Sequence, residues 1–244
     1  MPRRPLIDAD LRAGLAIGLV VGLAWVAALL WGYVPLGGAA PAALPVHRAP
    51  AVSPADADFG REEASADVRL LADWIIETHD NGERDFVLVD KRNAKLFVFE
   101  ARGRLAGATP VLLGFAVGDD TAPGVASKPL SQILPAERTT PAGRFLSQAG
   151  LNAAQEEVIW VDYDAAVSMH RLRPMHARER RLERLASPTS ADNRISSGCI
   201  NVPVEFFEQI LWPRLRLGRQ GVVYVLPETR PLSTAFAVPV RDGD

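Results

Sequence analysis

The chain has 244 residues, 48% of them hydrophobic and 23% charged, with a formal net charge of −2. That apolar content can fill a core and the length suits one ordinary domain with additions, which excludes a disordered chain. The balance of 27 basic against 29 acidic residues excludes an electrostatic nucleic-acid binder, and a single cysteine excludes an intrachain disulfide or a multi-cysteine zinc site.

Residues 13–34 carry no charge over 22 positions. As a helix the run is about 33 Å long against a hydrocarbon core of about 30 Å, and it exceeds the roughly 7–15 residues of a secretory h-region, so it reads as a retained transmembrane signal anchor, with a signal cleaved in the small-residue stretch 37–43 as the alternative. Arg3, Arg4 and Arg12 precede it, and no basic residue follows until Arg48. Residues 1–12 are therefore expected in the cytoplasm and the remainder in the periplasm, held at the inner membrane. Gly14, Gly18 and Gly22 share one helix face, a spacing that permits a helix-mediated homodimer. Residues 35–64 are rich in proline and alanine and read as a tether.

Val68, Leu71, Ala72 and Ile75 recur with helical spacing and predict a helix over about 65–79, within an N-terminal segment 65–84 of the soluble part. Residues 86–90 and 95–100 read as a hairpin, with a third strand over 108–117. Residues 118–139 read as a long loop, in the place of a lid. Strands are expected at 157–162, 165–171 and 221–226, a charged surface helix at 176–186 and an amphipathic helix at 204–211. Residues 228–244 read as a polar C-terminal tail. Many short strands with a few short helices describe a mainly β domain.

Cys199 is a candidate nucleophile, because a lone cysteine after a glycine sits where a tight turn aims backbone N–H groups at a developing oxyanion. The thiol reacts as a thiolate and needs a base nearby. His47 falls in the tether and His79 at a helix end, which leaves His170 and His176. His170 closes an apolar strand, whereas His176 sits among arginines. Asp119, Asp120, Asp162 and Asp164 fall at turns and read as structural, and no His/Asp/Glu cluster has metal-ligand spacing, so no metal or cofactor is implied.

Ser196-Ser197-Gly198-Cys199-Ile200-Asn201 follows a strand-end histidine and Thr140-Pro141-Ala142-Gly143-Arg144-Phe145, and Gly221-Val222-Val223-Tyr224-Val225 closes the set. Together they resemble the YkuD-type L,D-transpeptidase domain over residues 85–227. Two departures stand out: Ser197 replaces the usual histidine, and the 25 residues between His170 and Ser196 exceed the family's spacer. The excess matches the arginine-rich stretch 171–186, read as an insertion at the active-site rim. By residue count alone, His176 is the alternative base. The resemblance implies a YkuD-like β-sandwich that acts on peptidoglycan stem peptides. Cys199 would be the nucleophile, His170 the base, and the N–H groups of Gly198 and Cys199 the oxyanion hole. Ser196, Ser197 and Asn201 would support the motif, with Arg171 and Arg173 as candidates for binding substrate carboxylates. Water as acceptor would make the same acyl-enzyme an L,D-carboxypeptidase or endopeptidase. A catalytically weak wall-binding scaffold is the reading outside enzymology.

Overall fold

Four consecutive apolar residues, Phe86 to Val89, call for a strand covered on both faces, and the computed structural model places one there. It describes residues 56–239 except Met175 and Leu217. The described residues belong to the second of two units, Ala51–Asp244. The anchor at 13–34, its glycine face and most of the tether lie outside them.

The strands in chain order are β1 (Phe86–Asp90), β2 (Lys95–Phe99), β3 (Leu105–Pro110), β4 (Leu113–Gly114), β5 (Gly143–Leu146), β6 (Gln148–Leu151), β7 (Glu157–Asp162), β8 (Val167–Arg171), β9 (Arg194–Ser196), β10 (Ile200–Val202) and β11 (Val222–Val225). They form a five-stranded sheet in the order β3-β2-β1-β11-β5, a four-stranded sheet in the order β10-β8-β7-β6, and a β4-β9 pair. The domain is mainly β, as the sequence suggests. β1 and β2 pair antiparallel as the expected hairpin, while β1–β11 and β8–β10 are parallel.

Alternation along the large sheet divides its side chains between two cores. Val87, Val89, Leu96, Val98, Val223 and Val225 face the small sheet, where Ile159, Met169, Ile200 and Val202 meet them. Phe86, Leu88, Phe97, Phe99, Val222 and Tyr224 face the other way, onto Val68, Leu71, Ala72 and Ile75 of helix α1 (Ala66–Thr78). Each such side chain contributes about 1.5–3 kcal/mol on burial. Ser65 caps α1 by accepting from the Val68 N–H at 3.4 Å, and its own hydroxyl donates to Asp90 at 2.7 Å, tying the helix start to the end of β1.

Several expectations are corrected. The strand expected at 108–117 breaks at Pro110 into β3 and β4, and β5 and β6 went unread. The tether does not run to residue 64: Phe59 is buried edge-on against Phe97 and Phe99, and Asp58 bridges to Arg104. Nor are residues 228–239 a free polar tail, because Leu232, Phe236 and Val238 complete the core beneath α1. The charged helix expected at 176–186 shortens to a 3-10 turn, Ala177–Glu179, and α2 (Arg181–Leu185). The helix expected at 204–211 continues further, as α3 (Val204–Phe206), a π-helical turn Phe207–Leu211 and α4 (Trp212–Leu215). The wider π turn precedes Pro213, which cannot donate to the preceding turn.

A buried ionic network joins the segments that flank the site. Lys91, fully buried, donates to the Gly118 carbonyl at 2.6 Å, to Asp119 at 2.8 Å and to the Thr140 carbonyl at 2.9 Å. Burial works against ionising Asp119. The Lys91 ammonium, the Thr229 hydroxyl and the N–H groups of Glu228 and Thr229 outweigh it and hold the carboxyl well below the usual range. Glu228 pairs with Arg194, whose guanidinium also donates to the Lys91 carbonyl at 2.8 Å. Asp119 is thus structural, as its place at a turn suggests.

Candidate active site

Parallel pairing of β10 with β8 sets Ile200 beside Met169 and Asn201 beside His170. Met169 and Ile200 point into the core between the sheets. Period-2 alternation therefore turns Ser168 and His170 to the outer face of the small sheet, where Cys199 arrives from the turn before β10. The sulfur is half-buried, 3.7 Å from the Ser168 hydroxyl and 3.6 Å from the Ala166 carbonyl.

The ring that meets Cys199 is that of His170. Its Nδ1 lies 2.9 Å from the Arg171 carbonyl. A carbonyl only accepts, so Nδ1 carries a proton and Nε2 is the nitrogen left for the thiol. Burial works against charge on both partners. For Cys199 it is outweighed by the His170 hydrogen bond and charge and by hydrogen bonds from Ser168, so the thiol is held below its usual range. For His170 the hydrogen bond and charge of Cys199 and the Arg171 carbonyl outweigh burial, and the imidazole is pushed up. Both shifts favour a thiolate–imidazolium pair.

The turn that presents the sulfur is held from several sides. Gly198 has φ of +129°, and a Cβ there would stand 2.7 Å from the Thr139 carbonyl oxygen. Only glycine meets both demands. Thr140 is fully buried; its hydroxyl donates to the Gly198 carbonyl at 2.8 Å and accepts from the Gly114 N–H at 2.9 Å. The Cys199 carbonyl accepts from the Ser196 hydroxyl at 2.6 Å and from the Asn201 amide at 3.3 Å. Ser196 and Asn201 thus brace the turn, and Ser197 stands half-buried beside it. Gly198→Ala is expected to lower stability by at least about 1–3 kcal/mol through backbone strain, before the clash with Thr139 is counted. Thermal unfolding beside the rate of thiol alkylation checks this, with both expected to fall.

Other expected roles change. The Gly198 N–H donates to Ser196 Oγ at 3.1 Å, inside its own turn, so it is not free to serve an oxyanion. That leaves the Cys199 N–H of the pair. His176 is exposed on the insertion, and the histidine that acts on the Cys199 thiol is His170. Arg171 is held by Glu208 at 2.5 Å and Glu157 at 2.9 Å, and lies over the Phe207 ring. Arg173 pairs with Glu156. Both cations already have carboxylates of this chain, which leaves them poorly placed to bind those of a substrate. Another arginine of the insertion matters more: Arg181 donates to the buried Asn201 at 2.6 Å and so docks the insertion on the nucleophile turn.

Ser168 and Thr140 carry roles that went unread. Alternation from the apolar Val167 and Met169 could have placed Ser168 on the histidine's face. A cavity of 640 Å³ lined by Arg84, Asp85, Gln148, Arg214, Arg216 and Arg219 contains neither Cys199 nor His170. Among the described residues, no three His, Cys, Asp or Glu side chains gather as a metal would require.

No protein-family profile matches the chain, and no curated protein matches it. The solved structures it is similar to include L,D-transpeptidases. One is the crystal structure of a cysteine-to-serine mutant of the Enterococcus faecium L,D-transpeptidase, with 19% identity and a TM-score of 0.35 over 59% of this chain and 50% of that one. A second is the NMR structure of the catalytic domain from the E. faecium enzyme, with 19% identity and a TM-score of 0.36 over 59% of this chain and 98% of that one. The L,D-transpeptidase of Xylanimonas cellulosilytica shows 14% identity and a TM-score of 0.36 over 59% of this chain and 60% of that one. This chain spans about half the length of the Enterococcus crystal structure.

Proposed function

We propose that the chain is a cysteine-dependent L,D-transpeptidase acting on stem tetrapeptides of peptidoglycan. What supports it is the electrostatic coupling of Cys199 and His170, together with His170 Nδ1 2.9 Å from the Arg171 carbonyl, which leaves Nε2 as the nitrogen free to serve the thiol. That arrangement suits acyl transfer, in which one group gives and takes a proton beside a nucleophile.

The thiol proton passes to His170 Nε2, and the sulfur attacks the carbonyl of the third stem residue. The Cys199 N–H meets the developing oxyanion. As the C–N bond to the terminal D-Ala breaks, His170 returns its proton to the leaving amine. An acceptor amine, such as the side-chain amine of a neighbouring diaminopimelate, then attacks the thioester. His170 takes its proton, the C–S bond breaks, and a 3-3 crosslink or another amide forms. Anchored through residues 13–34, the catalytic domain would work in the periplasm.

Incubation of the chain with disaccharide-tetrapeptide, followed by mass spectrometry, tests the proposal. Crosslinked dimer with release of D-Ala is expected. Tripeptide alone would assign the acyl-enzyme to hydrolysis, and unchanged substrate with a folded protein would refute acyl transfer.

A further inference from the structure

Beyond Cys199 the outer face of the small sheet continues as an ordered row. Ser168, which touches Cys199, pairs with Trp160 on β7, and Trp160 pairs with Gln148 on β6. Neighbouring strands lie about 4.8 Å apart, so the Trp160 backbone stands roughly 10 Å from that of Cys199 and Gln148 one strand further. The indole lies over the adjacent strand at Gly150, where a Cβ would stand 3.0 Å from Trp160 Nε1. Tyr163, 69% exposed, sets its ring edge-on to the indole at 5.2 Å and 72°. A tryptophan recruited only for packing would face the core between the sheets. This one is half-buried on the opposite side, with an aromatic wall on one flank and the exposed amide of Gln148 beyond it.

We propose that Trp160, with Tyr163 and Gln148, forms a subsite that stacks a pyranose ring of the glycan carrying the stem peptide. This rests on the reading of Cys199 as the acyl-transfer nucleophile. An aromatic face is electron-rich and receives the polarised C–H groups of a sugar ring, while a primary amide offers both donor and acceptor to hydroxyl and acetamido groups. None of the three side chains is charged, although Gln148 also borders the cavity lined by Arg84, Asp85, Arg214, Arg216 and Arg219, so the neutral part of the subsite is Trp160 and Tyr163. The distance also fits. Three extended residues span at most about 10 Å, and the group that joins the stem to its sugar adds to that reach, so the sugar can arrive at Trp160 while the carbonyl of the third stem residue is at Cys199. The subsite would make the chain prefer glycan-borne stems to free peptide.

The test compares disaccharide-tetrapeptide with free tetrapeptide for the full-length chain and for Trp160→Ala, Trp160→Tyr and Tyr163→Ala. Trp160→Ala is expected to raise KM for the disaccharide substrate about 10–100-fold while leaving free tetrapeptide unchanged. Trp160→Tyr should keep most of the preference, and Tyr163→Ala, at an exposed position where folding is not at stake, should lose part of it. Equal kinetics on both substrates in every variant would overturn the subsite. A second measurement stands apart from turnover: titration of Cys199→Ala with a tetramer of N-acetylglucosamine by calorimetry. Binding that vanishes on adding Trp160→Ala supports the subsite even if acyl transfer is absent. No binding to the Cys199→Ala chain refutes it.

Discussion

Cys199→Ala is expected to abolish release of D-Ala and formation of crosslinked product, a loss of about 10⁴–10⁶-fold, while the protein stays folded. No other residue can replace the sulfur, because the chain has one cysteine. The fold tolerates the change because the side chain is small, half-buried and on the outer face of the sheet. Removing the sulfur also frees His170 and Ser168 from a partner whose ionisation burial opposes, so thermal stability should be unchanged or slightly higher. Product assays beside thermal unfolding check both halves. Activity within tenfold of the parent would exclude Cys199 as nucleophile, and unfolding would make the sulfur a structural element.

The second large effect concerns stability. Lys91→Met should cost about 3–5 kcal/mol, because it leaves buried Asp119 without the ammonium that donates to it and takes one of its two cations from Glu228, which keeps Arg194. It also removes the donor to the Thr140 carbonyl, and Thr140 holds the Gly198 carbonyl from its other end. Loss of the alkylation rate should therefore accompany the loss of stability, although Lys91 does not touch the sulfur. Urea unfolding of Lys91→Met, Asp119→Leu and the double variant measures the effect. The double variant should be less destabilised than the sum of the single ones, because each alone strands a buried charge. Additive changes would mean that the two side chains act independently.

Periodicity made much of the fold legible. α1 follows from Val68, Leu71, Ala72 and Ile75, and β1, β2, β7 and β8 from runs of β-branched and aromatic residues. β5 and β6 were illegible because GRFL and QAGL are four residues each and carry no sustained alternation of apolar and polar positions. They are strands because β11 and β7 pair with them, and pairing leaves no local mark. Phe59 was missed because one apolar residue among polar neighbours shows no period, and Phe236 and Val238 because the apolar run 235–238 is too short to show one. At the site, the lone cysteine, the glycine before it and a strand-end histidine are local signals. The partners of Arg171 are not: Glu157 and Glu208 lie 14 and 37 residues away along the chain. The Gly198 N–H illustrates a different limit, because whether a turn's donor points outward or at its own Ser196 depends on dihedral angles that composition does not reveal.

The activation of Cys199 by His170 is tested most directly by the pH dependence of its alkylation in the parent chain and in His170→Gln. Folding brings the imidazole to the thiol, so the parent's rate should rise through a thiol ionisation lying below that of an ordinary cysteine. The imidazolium that stabilises the thiolate should persist above the usual histidine range, because its own ionisation is pushed up. In His170→Gln the sulfur keeps its burial, Ser168 and the Ala166 carbonyl but loses the imidazolium, and the profile should move to higher pH. Superimposable profiles for the two proteins would contradict the pairing of thiol and imidazole on which the account rests.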